Sequence, residues 1–127
     1  MCIRDRILDA YNANPSSMKA SIASLAKAES SKEKVLVLGD MKELGSDSIS
    51  FHQEIINYLG QFRWKSVFLI GKDFGQTRLN RNYHYYNDYE ALATNAQIFV
   101  SNITDTICLI KASRSLKLER ISQMLED

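Results

Sequence analysis

The sequence predicts an α/β fold in which a mostly parallel sheet is flanked by helices. Three observations predict it. Short apolar runs recur at residues 7–8, 35–38, 67–70 and 106–110, and those at 35–38 and 67–70 are continuous, as suits strands buried on both faces. Longer segments with a helical apolar period lie between the runs, so strand and helix patterns alternate to the end of the chain. No internal repeat, low-complexity tract or Gly/Ser-rich linker divides the series, and 127 residues are enough to bury one core.

The first run ends on Asp9 and passes through Ala10, Tyr11, Asn12 and Ala13 to Asn14 and Pro15, the single proline. This reads as a strand, a tight polar turn and a helix start. Asn14 suits the N-cap, and Pro15 suits the first helical position, where its missing N–H has no intrahelical partner. In a parallel sheet such a junction lies at the carboxyl edge of the strands, where ligands bind and free helix N–H groups favour anions. From the residues alone, a capped helix and a ligand-binding turn both fit.

The helix runs from 15 to about 28, with Met18, Ile22, Leu25 and Ala26 on one face. Residues 29–34 make a polar connection to a central strand at 35–38, bounded by Gly39 and Asp40. A loop over 39–47 leads to a second helix over about 48–62, striped by Ile49, His52, Ile56, Leu59 and Phe62. Ser50 with Gln53 forms a capping box if that helix begins late. The strand at 67–70 ends on Gly71, and the stretch to Asn82 has room for a short helix. Residues 83–86 read as a short aromatic strand. Asn87 and Asp88 then offer an N-cap to one continuous helix with Tyr89, Leu92, Ala96, Phe99 and Ile103 on a single face. The last strand is 106–110, and the last helix is 116–125 with Leu118, Ile121 and Leu125 inward.

Sixteen basic and fifteen acidic residues leave a net charge of +1, which gives no long-range field for a nucleic-acid partner. Any anion site must be local. Cys2 and Cys108 lack metal-ligand spacing and read as reduced thiols of a cytoplasmic protein. No run approaches the roughly 18 apolar residues of a membrane span, and the N-terminus has no signal-peptide core. Residues 1–6 start abruptly before a strand and are read as a non-native or truncated start, which leaves 7–127 as the domain.

Three motifs carry the chemistry. Asp9-Ala10-Tyr11-Asn12-Ala13-Asn14-Pro15, followed by Ser17-Met18, resembles the opening of the C-terminal domain of the Mur ligases of MurF type, which add D-alanyl-D-alanine to UDP-N-acetylmuramoyl-tripeptide. Gly39-Asp40-Met41-Lys42-Glu43-Leu44-Gly45 resembles a second loop of that family. Asp40 and Glu43 can hold an ammonium or orient a cation there. The alternative is a polar loop in which Asp40 caps a turn and Leu44 plugs the core; that reading is preferred for Glu43 and Leu44, while Asp40, at the strand's carboxyl end, is the better functional candidate. Lys111-Ala112-Ser113-Arg114 resembles the family's Lys-Gly-Ser-Arg. Two cations, a hydroxyl and the next helix's free N–H groups suit a phosphate or carboxylate. Ala112 and Ser115 depart from glycines usual in the family. If the glycine at 112 has positive φ, alanine there costs of order 1 kcal/mol.

His52 follows the second motif, as a histidine does in the family. Its place on an apolar stripe favours a partly buried side chain bonded to the preceding loop over an acid or base. The aromatic cluster at 83–89 has too few accompanying cations for a base-stacking platform and reads as packing.

The resemblance implies a Rossmann-like domain of an ATP-dependent amide-forming ligase. ATP activates the tripeptide's terminal carboxylate as an acyl phosphate, and the amine of D-alanyl-D-alanine displaces phosphate, with positioning and charge neutralisation supplying most of the catalysis. It also implies that Asp9 binds the ATP ribose, with Tyr11, Asn12 and Asn14 shaping the nucleotide side, while Asp40, Lys111, Ser113 and Arg114 face the substrate side. The 127 residues hold no Gly-x-x-x-x-Gly-Lys-Ser/Thr phosphate loop. The Mg²⁺ ligands are expected in a separate central domain, and no catalytic residue or metal ligand is assigned within this chain. It is expected to be inactive without its N-terminal and central domains. Two rivals are a free-standing Rossmann-like module for a nucleotide or phosphate, and the C-terminal domain of a sister Mur ligase or folylpolyglutamate synthase. The Tyr-Asn-Ala-Asn-Pro run argues against both.

Overall fold

Strands whose residues are apolar without interruption have no face to offer water, so they must sit inside a sheet covered on both sides. The computed structural model has that arrangement. It describes residues 5–9, 14–29, 31–79, 82–103 and 105–111, with 5–9, 102 and 103 described by backbone alone. In chain order the elements are β1 (Asp5–Asp9), α1 (Pro15–Lys27), β2 (Glu33–Gly39), a 3-10 turn (Gly45–Asp47), α2 (Ser48–Leu59), β3 (Ser66–Ile70), α3 (Lys72–Gly75), β4 (His84–Tyr86), α4 (Tyr89–Thr94), α5 (Ala96–Ile103) and β5 (Thr106–Lys111). The described strands form one sheet in the order β1-β5-β2-β3-β4, and every pairing is parallel.

Side chains alternate between two cores along each buried strand. Leu36, Leu38, Val67, Leu69 and Leu109 point to one side, where Met18, Ile22 and Leu25 of α1, Ile55, Ile56 and Leu59 of α2, and Phe74 of α3 close over them. Val35, Val37, Phe68, Ile70, Cys108 and Ile110 point to the other, against Leu92 of α4 and Phe99 of α5. Each such fully buried aliphatic side chain contributes roughly 1.5–3 kcal/mol relative to exposure. The aromatic cluster is packing, as expected. Tyr83 and Tyr85 lie against the first core and Tyr86 and Tyr89 against the second, while His84 stacks on Phe68 with ring centroids 4.5 Å apart.

Several boundaries differ from the sequence reading, each for a physical reason. Asp5 and Arg6, assigned to the excluded start, pair with Ile107 and Cys108 as part of β1. Helix α2 stops at Leu59 instead of Phe62. The N–H groups of Gly60, Gln61 and Phe62 turn back on carbonyls three residues earlier, and the Trp64 indole N–H donates to the Leu59 carbonyl at 3.1 Å. The capping box of Ser50 and Gln53 does not form, because α2 begins at Ser48. Gln53 instead fastens the segment after α3, accepting from Arg78 N–H at 2.7 Å and donating to the Arg78 carbonyl.

The single helix expected after Asp88 is two helices. Asp88 caps the first, accepting from Ala91 N–H at 2.9 Å. Thr94 and Asn95 then hydrogen-bond their side chains to the carbonyls of Glu90 and Ala91, and Asn95 leaves the helical region at φ −110°, ψ 29°. Short polar side chains compete here with the helix for its own carbonyls. The helix expected over 116–125 lies outside the described residues.

Candidate functional site

In a parallel sheet all strands end on the same edge, and the loops leaving that edge build the site. Asp9 ends β1 in register with Lys111, which ends β5, and Lys111 is also the register partner of Leu38. Gly39 pairs with Ile70, and Ile70 with Tyr86, so the carboxyl ends of all five strands lie along one edge. Two sequence-predicted site residues far apart in the chain, Asp9 and Lys111, are thereby neighbours at the carboxyl edge. Lys111 is 2% exposed, an uncommon burial for a lysine. Tyr11, Asn12, Ser113 and Arg114 lie outside the described residues.

Asn14 is the N-cap of α1. Its side-chain oxygen accepts from Ser17 N–H at 2.9 Å, and the Ser17 hydroxyl oxygen accepts from Asn14 N–H at 3.2 Å. Pro15 occupies the first turn. The reciprocal pair satisfies two of the donors that a helix start leaves open.

Asp40 is held more tightly than the sequence indicates. Its N–H donates to the Ile70 carbonyl at 3.0 Å, and its carboxylate, 3% exposed, reaches the turn after β3. There Oδ2 accepts from Asp73 N–H at 2.9 Å and Oδ1 from Phe74 N–H at 3.0 Å, so Asp40 caps α3 from another strand. Gly71 makes this approach feasible. Its φ is +129°, and a Cβ there would collide with the Asp40 carboxylate. Burial pushes the Asp40 carboxyl up from its ordinary value, against the opposing effect of the Asp73 and Phe74 amides. His52 lies close by, with Nε2 3.7 Å from Oδ1. Both carboxylate oxygens thus already serve the fold.

His52 is fully buried beneath this loop. Its Nε2 accepts from Met41 N–H at 3.0 Å, which requires a lone pair there, so Nδ1 carries the hydrogen and donates to the Ser48 carbonyl at 2.7 Å. The ring meets Phe74 edge-on at 4.6 Å, and the Ser48 hydroxyl donates to Asp73 Oδ2 at 2.6 Å. The expected bond between His52 and the preceding loop is present. Ser48, Gly71 and Asp73 are the partners that sequence reasoning missed. Only Gly71, at the end of an apolar run, carried a signal. Leu44 packs on the core, while Lys42 and Glu43 are exposed and Glu43 has φ +61°.

The opposite edge of the sheet has a concavity of about 630 Å³ bordered by Lys34, Arg63, Trp64 and Lys65. Lys34 is committed there to the end of α1, donating to the carbonyls of Ala26 and Ala28 at 2.9 and 2.8 Å. Among the described residues, no three His, Cys, Asp or Glu side chains converge on a metal site, and no helix is long and apolar enough to cross a membrane.

The chain resembles known proteins in sequence and in fold. It is 35% identical over 120 residues to the UDP-N-acetylmuramoyl-tripeptide--D-alanyl-D-alanine ligase of Bacillus subtilis, covering 91% of this chain and 26% of that protein. The enzyme of the same name from Buchnera aphidicola is 36% identical over 121 residues, covering 94% and 26%. Among solved structures, the MurF ligase from Thermotoga maritima in complex with ADP superposes with a TM-score of 0.78 at 25% identity, covering 97% of this chain and 28% of that one. The chain therefore spans about a quarter of the length of these relatives. The family model for the Mur ligase glutamate ligase domain matches residues 3–114, and the chain belongs to that family.

Proposed function

We propose that this chain is the C-terminal part of an ATP-dependent ligase that joins D-alanyl-D-alanine to UDP-N-acetylmuramoyl-tripeptide, and that it works only with the N-terminal and central domains of the same enzyme. The observation that carries this reading is the in-register pairing of Asp9 with Lys111 at the carboxyl edge, within a chain whose relatives bear that activity in their names. A carboxylate and a lysine on neighbouring strand ends supply two needs of such a reaction. One is an acceptor for ribose hydroxyls, and the other is a cation for a phosphate or carboxylate.

On this reading Asp9 holds the ribose, Tyr11, Asn12 and Asn14 shape the nucleotide side, and Lys111, Ser113 and Arg114 face the peptide substrates. Asp40 supports the edge from beneath, since both of its oxygens accept backbone N–H bonds. ATP, when bound, supplies the phosphoryl group that turns a poor electrophile, a carboxylate, into a reactive one. The residues of this chain orient nucleotide and peptide so that the amine meets the activated carbonyl. Mg²⁺ is assigned to ligands in the central domain. The nucleotide-linked substrate places the work in the cytoplasm, with no nucleic-acid or membrane partner.

The test is Asp9→Ala in the full-length enzyme. The KM for ATP should rise tenfold or more, about 1.4 kcal/mol of lost binding, with little change in melting temperature. A lowered melting temperature with an unmoved KM would make Asp9 a structural residue and remove this assignment.

A further inference from the structure

Two adjacent loops leave the carboxyl edge, the one after β2 next to the Lys111 strand, and hydrogen bonds from Asp40 and Ser48 join them. The β2–α2 loop begins at Asp40 and ends at Ser48. His52 bonds both ends of it, accepting from Met41 N–H at 3.0 Å and donating to the Ser48 carbonyl at 2.7 Å. Ser48 and Asp40 carry the link onward to α3, through Asp73 Oδ2 and through the Asp73 and Phe74 amides. A loop fastened at both ends has few conformations left to lose, so a ligand that needs it in one place binds without the cost of ordering it. What the clasp presents is polar. Lys42 and Glu43 are exposed at the tip, and Glu43 has φ +61°, a conformation uncommon for a residue with a Cβ.

We propose that His52 is a positioning residue for ligation, holding the β2–α2 loop closed so that the Lys42 and Glu43 tip stands in a fixed place beside the Lys111 strand for the peptide substrates. This rests on the ligase reading above. His52 touches no substrate in this role, being fully buried, and it acts through the loop backbone. Its tautomer is part of the device, because one ring nitrogen must accept and the other donate.

The experiment uses the full-length enzyme. His52→Phe fills the same space and keeps an aromatic edge for Phe74 while removing both hydrogen bonds. The KM for UDP-N-acetylmuramoyl-tripeptide or for D-alanyl-D-alanine should rise at least fivefold, at a temperature where the variant is fully folded, with kcat changed less than the KM. A folded variant with both KM values unchanged overturns the proposal. Hydrogen exchange of the wild-type enzyme decides the matter if the variant does not fold. Adding the two peptide substrates without nucleotide should slow exchange of the amides in 41–47, and unchanged exchange overturns the proposal. A wild-type enzyme with no ATP-dependent ligation would instead defeat the ligase reading itself, whatever His52 does.

Discussion

The start of α1 and the turn into α2 are held in opposite ways. The start of α1 is held locally by Asn14 and Ser17, three residues apart. The turn into α2 is held by the His52 side chain of α2, 11 residues from Met41, and by amides of α3, 33 and 34 residues from Asp40. A local cap is worth what one exchange of hydrogen bonds is worth. A long-range cluster fails as a unit, because removing one member leaves the others buried and unpaired.

The largest effect that comparison predicts is at Gly71. Gly71→Ala adds a Cβ where the Asp40 carboxylate lies, at a backbone angle of +129°. The cost should be about 3 kcal/mol or more in urea unfolding. A loss below about 1 kcal/mol would mean that the turn after β3 can move away from Asp40 cheaply, and that contrast would collapse.

Next comes Asp40→Ala, which leaves the Asp73 and Phe74 amides without an acceptor and should cost about 2–3 kcal/mol near neutral pH. Its pH dependence sharpens the comparison. Burial raises the folded carboxyl above its ordinary value of 3.8, so the folded state keeps this proton to higher pH than the unfolded state does. Between 3.8 and the raised folded value, Asp40 makes stability fall as pH rises, opposite to a carboxylate held by a salt bridge. Unfolding free energies of wild type and Asp40→Ala measured across acid pH should differ by that component, and parallel curves would remove it. The smallest effect is Asn14→Ala, which should cost about 1 kcal/mol and leave the turn into α2 untouched.

Legibility followed the same division. Asn14 and Asp88 act on residues three or four positions away, so a reader of the chain finds them by spacing. The apolar stripe of α1 and the continuous runs of β2 and β3 are equally local, and they named most of the core. The break at Asn95 was missed because the apolar period continues through it, while the competition of Thr94 and Asn95 side chains for helix carbonyls leaves no trace in that period. For His52, the stripe announced partial burial, but not that it is complete, nor which nitrogen accepts.

The sequence by itself determined the alternating fold, the starts of α1 and α4 and the family, because propensity, period and motif are properties of neighbours along a chain. Only the tertiary structure decided that Asp9 and Lys111 meet in register, and that Asp40 spends its carboxylate on α3 across Gly71. Both depend on strand order and on which loops leave the same edge. Strand order is set by how the whole set of apolar faces closes over the sheet, and no stretch of residues encodes that alone.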